Sequence, residues 1–252
     1  GQIHEIRIDG FSQYNSLVLQ FKRRLTKRVQ ITSSYTLSRA YDNGQTSSTF
    51  TPTFSVPFSS FDQSGEGALS SFDRRHKFVY SMVWTSHYKN KDNKAARALF
   101  NGWTVAPIFN WFSGARYTGN LTGSIAPTSF GFAASTTPGG GVNGSGGSQR
   151  FALLPRNAFH QPSIQYLDLR VSRRFPIGEK ANVEVLGEVF NFFNRTQVTG
   201  VNATIYGFST TGCPAGGSLQ CLTFNTPFQQ TTGADSTLFR ERQVQLAVRF
   251  EF

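Results

Sequence analysis

Long hydrophobic runs are missing from this chain: nothing in it approaches the roughly 18 consecutive apolar residues of a membrane-spanning helix. Charge is scarce too. Only 15% of the 252 residues are charged, well under the ~25% of an ordinary soluble domain. Disordered chains are charge-rich and poor in aromatics, whereas 14% of these residues are aromatic and 25 of them are Phe, so the chain folds. Cysteine is nearly absent, and the pair Cys213 and Cys221 cannot staple a scaffold of this length. Methionine is represented by Met82 alone. The opening stretch, Gly1 to Gly10, has neither the basic n-region nor the apolar h-region of a secretory signal. A leader has been removed, or the chain is a piece of something longer. Acidic residues are the scarcer sign, 14 against 25 Lys and Arg, giving a net charge of +11 that needs an explanation.

What is present is alternation. Val244, Leu246, Val248, Phe250 and Phe252 alternate with Gln245, Ala247, Arg249 and Glu251. A period of two places one set on each side of a sheet. The same pattern recurs at Asn15 to Arg24, Val29 to Ser38, Lys77 to Thr85, Trp103 to Ser113, Gln165 to Phe175 and Asn182 to Phe193. With Ile3, Ile6 and Ile8 marking a first strand, eight strands are predicted. Helical periodicity is confined to one short turn over Lys94 to Phe100.

The connections differ in length by side. Leu25–Arg28 and Pro176–Lys180 are short and Tyr88–Phe100 is intermediate, while Asn43–Asp73, Ala115–Pro162 and Arg195–Ser236 are long. Short turns on one side and long loops on the other are the pattern of bacterial outer-membrane barrels. With the C-terminus periplasmic, every long loop falls outside. A half-buried strand of a soluble sandwich also alternates, but here the polar faces carry Asp168, Arg170, Glu184, Glu188, Arg249 and Glu251 well inside strands. A water-filled or loop-filled lumen tolerates such groups. Aromatics collect toward strand ends, as at Tyr80, Trp84, Trp103 and Trp111, where lipid interfaces place them. The fold class is therefore all-β: an antiparallel transmembrane β-barrel with short periplasmic turns and long extracellular loops. A sheet in a bilayer must close.

Several stretches, taken in order, resemble the C-terminal part of TonB-dependent outer-membrane receptors, in particular the Oar-like branch. They are Tyr14-Asn15-Ser16-Leu17, Ser34-Tyr35-Thr36-Leu37-Ser38, Phe72-Asp73-Arg74-Arg75-His76, Asn101-Gly102-Trp103 and Phe112-Ser113-Gly114. Asp168 to Ser172, Glu188 to Asn194 and Arg242 to Phe250 complete the set. The resemblance covers nearly the whole chain, residues 1–252, as the C-terminal portion of a barrel of about 22 strands. It implies ligand uptake across the outer membrane, a plug domain and TonB box outside this chain, and an energised TonB complex as partner. The ligand is not named by the sequence. A complete small eight-stranded barrel with a structural or adhesive role is the alternative, and a secreted soluble β-sandwich that binds glycans is a second.

Val248, Phe250 and Phe252 resemble the signal by which barrel-assembly machinery recognises its clients. The physical logic is strand addition at an exposed edge. Cys213 and Cys221 fall in an outer loop, where a disulfide is permitted. The Gly139–Gly147 run lacks the Lys-Ser/Thr and the strand-to-helix context of a phosphate loop. His4, His76, His87 and His160 have no ligand spacing, so no metal or cofactor is expected. Glu184 and Glu188 share a strand face but are expected to pair with Arg170 or Arg249 rather than to act as an acid/base couple. There is no Gly-x-Ser-x-Gly elbow, and no enzyme is expected. The basic residues group at the short turns: Lys22, Arg23, Arg24, Lys27 and Arg28; Lys89, Lys91, Lys94 and Arg97; Arg170, Arg173, Arg174 and Lys180. That position suits anionic lipid headgroups and argues against a nucleic-acid partner. Phe50, Phe54, Phe58 and Phe61 are assigned to an outer loop.

Overall fold

The computed structural model describes residues 10–26, 28–44, 64–89, 93–123, 140–141, 144–145, 150–151, 153–178, 181–209, 221–234 and 241–252. Seven long strands form the wall: β1 (Ser12–Thr26), β2 (Val29–Asp42), β3 (His76–Thr85), β4 (Trp103–Phe112), β5 (Ile164–Ile177), β6 (Ala181–Phe190) and β7 (Gln243–Glu251). They pair strictly in chain order, each antiparallel to the next. The first strand expected from Ile3 to Ile8 lies outside the described residues. Among the described residues the sheet does not close on itself, and β1 and β7 are its two edges.

The register turns the sequence alternation into two continuous faces. Leu19 lies opposite Tyr35, Tyr35 opposite Phe78, and Phe78 opposite Trp111. Farther along, Leu169 faces both Pro107 and Val189, and Val189 faces Val244. One face is therefore apolar across all seven strands. The other carries Gln20, Ser34, Ser81, Arg170, Glu188 and Gln245. A one-residue slip anywhere would exchange the two faces, so the alternation fixes the register. On this apolar face Leu17, Leu19, Phe21, Leu246, Val248 and Phe250 are exposed.

The strand ends correct two expectations. β1, β2 and β5 run to 15, 14 and 14 residues, longer than the ~9–11 needed to cross a bilayer tilted. The strand expected to reach Phe193 stops at Phe190. Asn191 and Asn194 adopt φ 48° and 50°, a left-handed conformation that Asn tolerates and a strand does not. Asn191 then fixes the turn from its side chain, donating to the Arg195 carbonyl at 3.0 Å and accepting from the Arg195 N–H at 3.1 Å.

The three long connections, 43–75, 113–163 and 191–242, leave the same end of the sheet. They pack into a layer of their own. Ala68–Leu69 pairs with β2, and Arg116–Tyr117 pairs with Phe159–His160. Asn120–Thr122 runs parallel to Thr204–Ser209, which pairs in turn with Cys221–Phe224. Val198–Val201 pairs with Thr231–Ala234. Of the buried apolar residues, Ala68, Leu121 and Ile205 lie here, and Ile164 and Leu186 lie in the wall. Within the Gly-rich run, Gly140–Gly141 and Gly144–Ser145 form a two-residue ladder. Phe50, Phe54, Phe58 and Phe61 lie outside the described residues.

At the opposite end the connections are short, and the one from β3 to β4 carries an α-helix, α1 (Lys94–Phe100). Asn93 caps it, its side chain accepting from the Ala96 N–H at 2.9 Å, as a short polar N-cap does.

Candidate functional site: a charged face and a latched loop layer

The polar face of β5, β6 and β7 carries a ladder of ion pairs. Glu188 lies opposite Arg170, and Glu184 lies opposite both Arg174 and Arg249. Arg170 sits between the two carboxylates, 3.6 Å from Glu184 and 3.7 Å from Glu188. Arg249 reaches Glu184 at 3.9 Å, and Arg174 reaches Glu251 at 3.0 Å. Cross-strand neighbours of opposite charge are a stabilising unit of a sheet. Five of the six charged positions expected on one face, Arg170, Glu184, Glu188, Arg249 and Glu251, therefore meet.

Asp168 has another job. Its Oδ1 accepts from the Asn191 N–H at 2.9 Å and anchors the turn that ends β6. Arg170, expected on the polar face of β5 and also counted in the basic group of its turn, sits mid-strand opposite Ala106 and Glu188. Arg174, expected on the same face and counted in the same group, is a further rung of the ladder.

The loop layer holds a second set of ion pairs, none of them anticipated. Arg150 grips Glu66 with two bonds of 2.7 and 2.8 Å, and both side chains are almost fully buried. Bidentate arginine–carboxylate geometry is the strong form of this contact. Arg156 binds the Asp42 carboxylate, donates to the Asp42 carbonyl at 2.7 Å and to the Glu66 carbonyl at 3.3 Å. Arg116 bonds Asp73 at 3.2 Å, while the other oxygen of Asp73 accepts from the Ala40 N–H at 2.9 Å. Each bond joins loop 113–163 to loop 43–75 or to the end of β2. Asn157 adds to the latch, donating to the Leu69 carbonyl at 2.7 Å. Burial lowers the Arg74 pKa from its ordinary value, and neighbouring Asp73 opposes that shift.

A chain of rings ties loop 113–163 to loop 191–242. Tyr117 stacks on Phe159 at 5.6 Å, and Phe159 meets Phe228 edge-on at 5.1 Å. Phe228 meets Phe224 at 6.3 Å, Phe224 meets Tyr206 at 5.7 Å, and Tyr206 meets Phe151 at 5.5 Å. These are the offset and edge-to-face spacings that aromatic quadrupoles favour. Burial raises the Tyr117 pKa above its ordinary value, and a hydrogen bond to Gln229 pulls the other way. Gln197 is fully buried; it accepts from the Gln165 N–H at 3.0 Å and donates to the Gln165 carbonyl at 2.7 Å. It pins the third loop to the top of β5.

At the far edge, Val248, Phe250 and Phe252 project from β7, and Phe252 is wholly exposed. Cys221 opens the strand Cys221–Phe224, and among the described residues no cysteine is free. Cys213 lies outside the described residues, as does His4. His76 is part of an aromatic band: its Nδ1 lies 2.8 Å from the Tyr35 hydroxyl, and its ring stacks on Trp111 at 5.9 Å. Among the described residues no group of three His, Cys, Asp or Glu side chains could hold a metal ion.

Comparison with known proteins agrees with the two faces and the sided connections. Residues 1–245 match a family model described as "Outer membrane beta barrel domain". No curated protein and no solved structure matches the chain significantly. Proteins of this family are typically non-catalytic. With an apolar face for lipid, a charged face opposite and nearly its whole length matched, the chain belongs to the outer-membrane β-barrel domain family and resides in the bacterial outer membrane.

Proposed function

We propose that residues 1–252 form the C-terminal part of the barrel of a TonB-dependent receptor of the Oar-like branch, and that this barrel takes up a ligand across the outer membrane. The short-turn end is periplasmic and the loop layer is extracellular. The ion-pair ladder of Arg170, Arg174, Glu184, Glu188, Arg249 and Glu251 lines the lumen, together with Asp168. The latched loops form the outer vestibule that meets the ligand. A plug and an energised TonB complex lie beyond this chain. Cys213 and Cys221 form a bridge that pinches the third loop. Val248, Phe250 and Phe252 are read by the barrel-assembly machinery.

The observation that carries this reading is the open sheet. Among the described residues β1 and β7 are the two edges of the sheet, and each is bonded on one side only. Unpaired strand edges are not tolerated in hydrocarbon, and the further strands of a larger barrel would remove them. The test is electrophoretic. Refolded alone in detergent, residues 1–252 are expected to show no compact monomer whose mobility changes on boiling. A heat-modifiable monomer would establish the small self-closed barrel and overturn the receptor reading.

A further inference from the structure

The helix α1 has no part in the wall, the ladder or the loop layer. Two side chains of the apolar face hold it in place. Trp103 donates from its indole N–H to the Leu99 carbonyl at 2.9 Å, and Arg173 donates to the Ala98 carbonyl. Trp103 and Arg173 lie opposite each other on β4 and β5, in line with Val105 and Val171. Arg173 is held in turn between two rings, 5.1 Å from the centre of Trp103 and 4.6 Å from that of Phe175. The last carbonyls of the helix are thus capped from the lipid side of the wall. The helix is moored outside the barrel, where the apolar face meets the short-turn end.

Its own surface fits that place. Leu99 and Phe100 are more than half exposed and have little protein over them. Phe100 is flanked by Tyr88, with ring centres 6.1 Å apart. Trp84, Phe175 and Ile177 continue the same exposed apolar rim. Around this rim the sequence 86–102 sets Lys89, Lys91, Lys94 and Arg97 against Asp92 alone. Lys89, Lys94 and Arg97 are exposed and form no ion pair among the described residues. Apolar residues beside basic ones on a short helix at the level of an interface are the makings of a lipid-surface contact.

We propose that α1 is a foot seated in the periplasmic leaflet. Leu99 and Phe100 enter the acyl boundary, while Lys89, Lys94 and Arg97 bind the phosphates of anionic phospholipids. The foot fixes the height of the barrel in the membrane at the β3–β4 turn. The proposal rests on the orientation given above for the short-turn end, and the two can fail separately.

The test uses the protein purified from the outer membrane and placed in vesicles of phosphatidylethanolamine, with and without phosphatidylglycerol, and follows amide hydrogen exchange. Phosphatidylglycerol is expected to slow exchange over 94–100 several-fold while leaving β4 unchanged. The triple change Lys89→Gln, Lys94→Gln and Arg97→Gln is expected to abolish that difference, at roughly fivefold in lipid preference per charge near the surface. Leu99→Ser with Phe100→Ser is expected to free the helix in both lipids. If β4 exchange also rises in that variant, the wall itself has been disturbed and the wild-type lipid comparison decides. Wild-type exchange over 94–100 that ignores phosphatidylglycerol overturns the foot. Orientation is checked apart, with a polymer-linked amine reagent on intact cells. Labelling at Lys94 sinks the orientation. Protected Lys94 combined with lipid-independent exchange sinks the foot alone.

Discussion

Arg150 and Glu66 form a bidentate pair in the loop layer, and both side chains are almost fully buried. Removing one member of a buried pair leaves the other charged and unpaired, at a cost of about 3–5 kcal/mol. Arg150→Ala is therefore expected to make loop 43–75 sensitive to protease on intact cells, while the wall keeps its protection. The double change Arg150→Met with Glu66→Leu is expected to restore much of the resistance, since two apolar groups leave no stranded charge. Equal sensitivity in the single and double variants would show that the pair is not the latch. Two glycines show the same dependence on single atoms. Gly102 has φ +79°, and a Cβ there would lie 2.7 Å from the Arg174 carbonyl oxygen; at Gly114 it would lie 1.6 Å from that of Gln161. The Asn101-Gly102-Trp103 and Phe112-Ser113-Gly114 stretches that resemble a receptor family thus mark the points where a neighbouring backbone runs too close for a side chain. The alternation needed only neighbours to be read. The latch was illegible because Arg150 and Glu66 stand 84 positions apart, and Arg156 and Asp42 stand 114 apart. No period or spacing links such residues, and only the folding of two loops over one rim brings them together.

Among the elements, β7 is an edge strand that is exposed along most of its length. Its outward residues are largely bare, with Leu246 81% and Phe250 70% accessible. Its inward residues are tied to β6, with Arg249 opposite Glu184 and Gln245 opposite Glu188. An edge with free backbone groups and alternating apolar side chains is a template for strand addition, and unprotected it is an aggregation hazard. A partner that receives this edge during insertion resolves both problems. Phe252→Ser is expected to lower the amount of protein reaching the outer membrane severalfold without moving any bond of the β6–β7 ladder, which ends at Glu251. Quantitative blotting of membrane fractions reads the result, and an unchanged amount would leave β7 as an ordinary lipid-facing strand. The element boundaries were legible to within about four residues: β2 runs on to Asp42 past the expected Ser38, and β6 stops at Phe190 short of the expected Phe193. There Phe192 and Phe193 continue the apolar content of the strand, and the left-handed backbone of Asn191 that ends it has no hydrophobic signature. The helix α1 was legible as a short turn. Its moorings were not, because Arg173 reads as one more base near a turn until the register brings it beside Trp103.

Across the whole molecule the composition divides by height. The long loops are latched by buried arginines, the polar face of the wall carries a balanced ladder, and the short-turn end carries a basic fringe. The net charge of +11 is therefore not one field. Arg116, Arg150 and Arg156 are neutralised by Asp73, Glu66 and Asp42, and Arg170, Arg174 and Arg249 by Glu184, Glu188 and Glu251. The aromatic excess divides likewise into membrane-facing bands and the ring chain of the loop layer. That chain makes a strong claim about cooperativity. Loop 43–75 is joined to loop 113–163 by ion pairs, and loop 113–163 to loop 191–242 by rings, so all three should open as one unit. Phe228 makes one of the two ring crossings between these loops, touching Phe159 from one loop and Phe224 from its own, while Tyr206 on Phe151 makes the other. Each aromatic pair contributes about 0.5–1.5 kcal/mol beyond its area. Phe228→Ala should therefore weaken the layer by about 1–3 kcal/mol without touching the wall. Amide exchange is expected to quicken at Phe159–His160 and Thr204–Ser209 together, and also at Ala68–Leu69, which no ring of the chain contacts. Faster exchange at the first two sites with none at the third would mean that the loops open independently. The vestibule would then be three separate flaps rather than one lid.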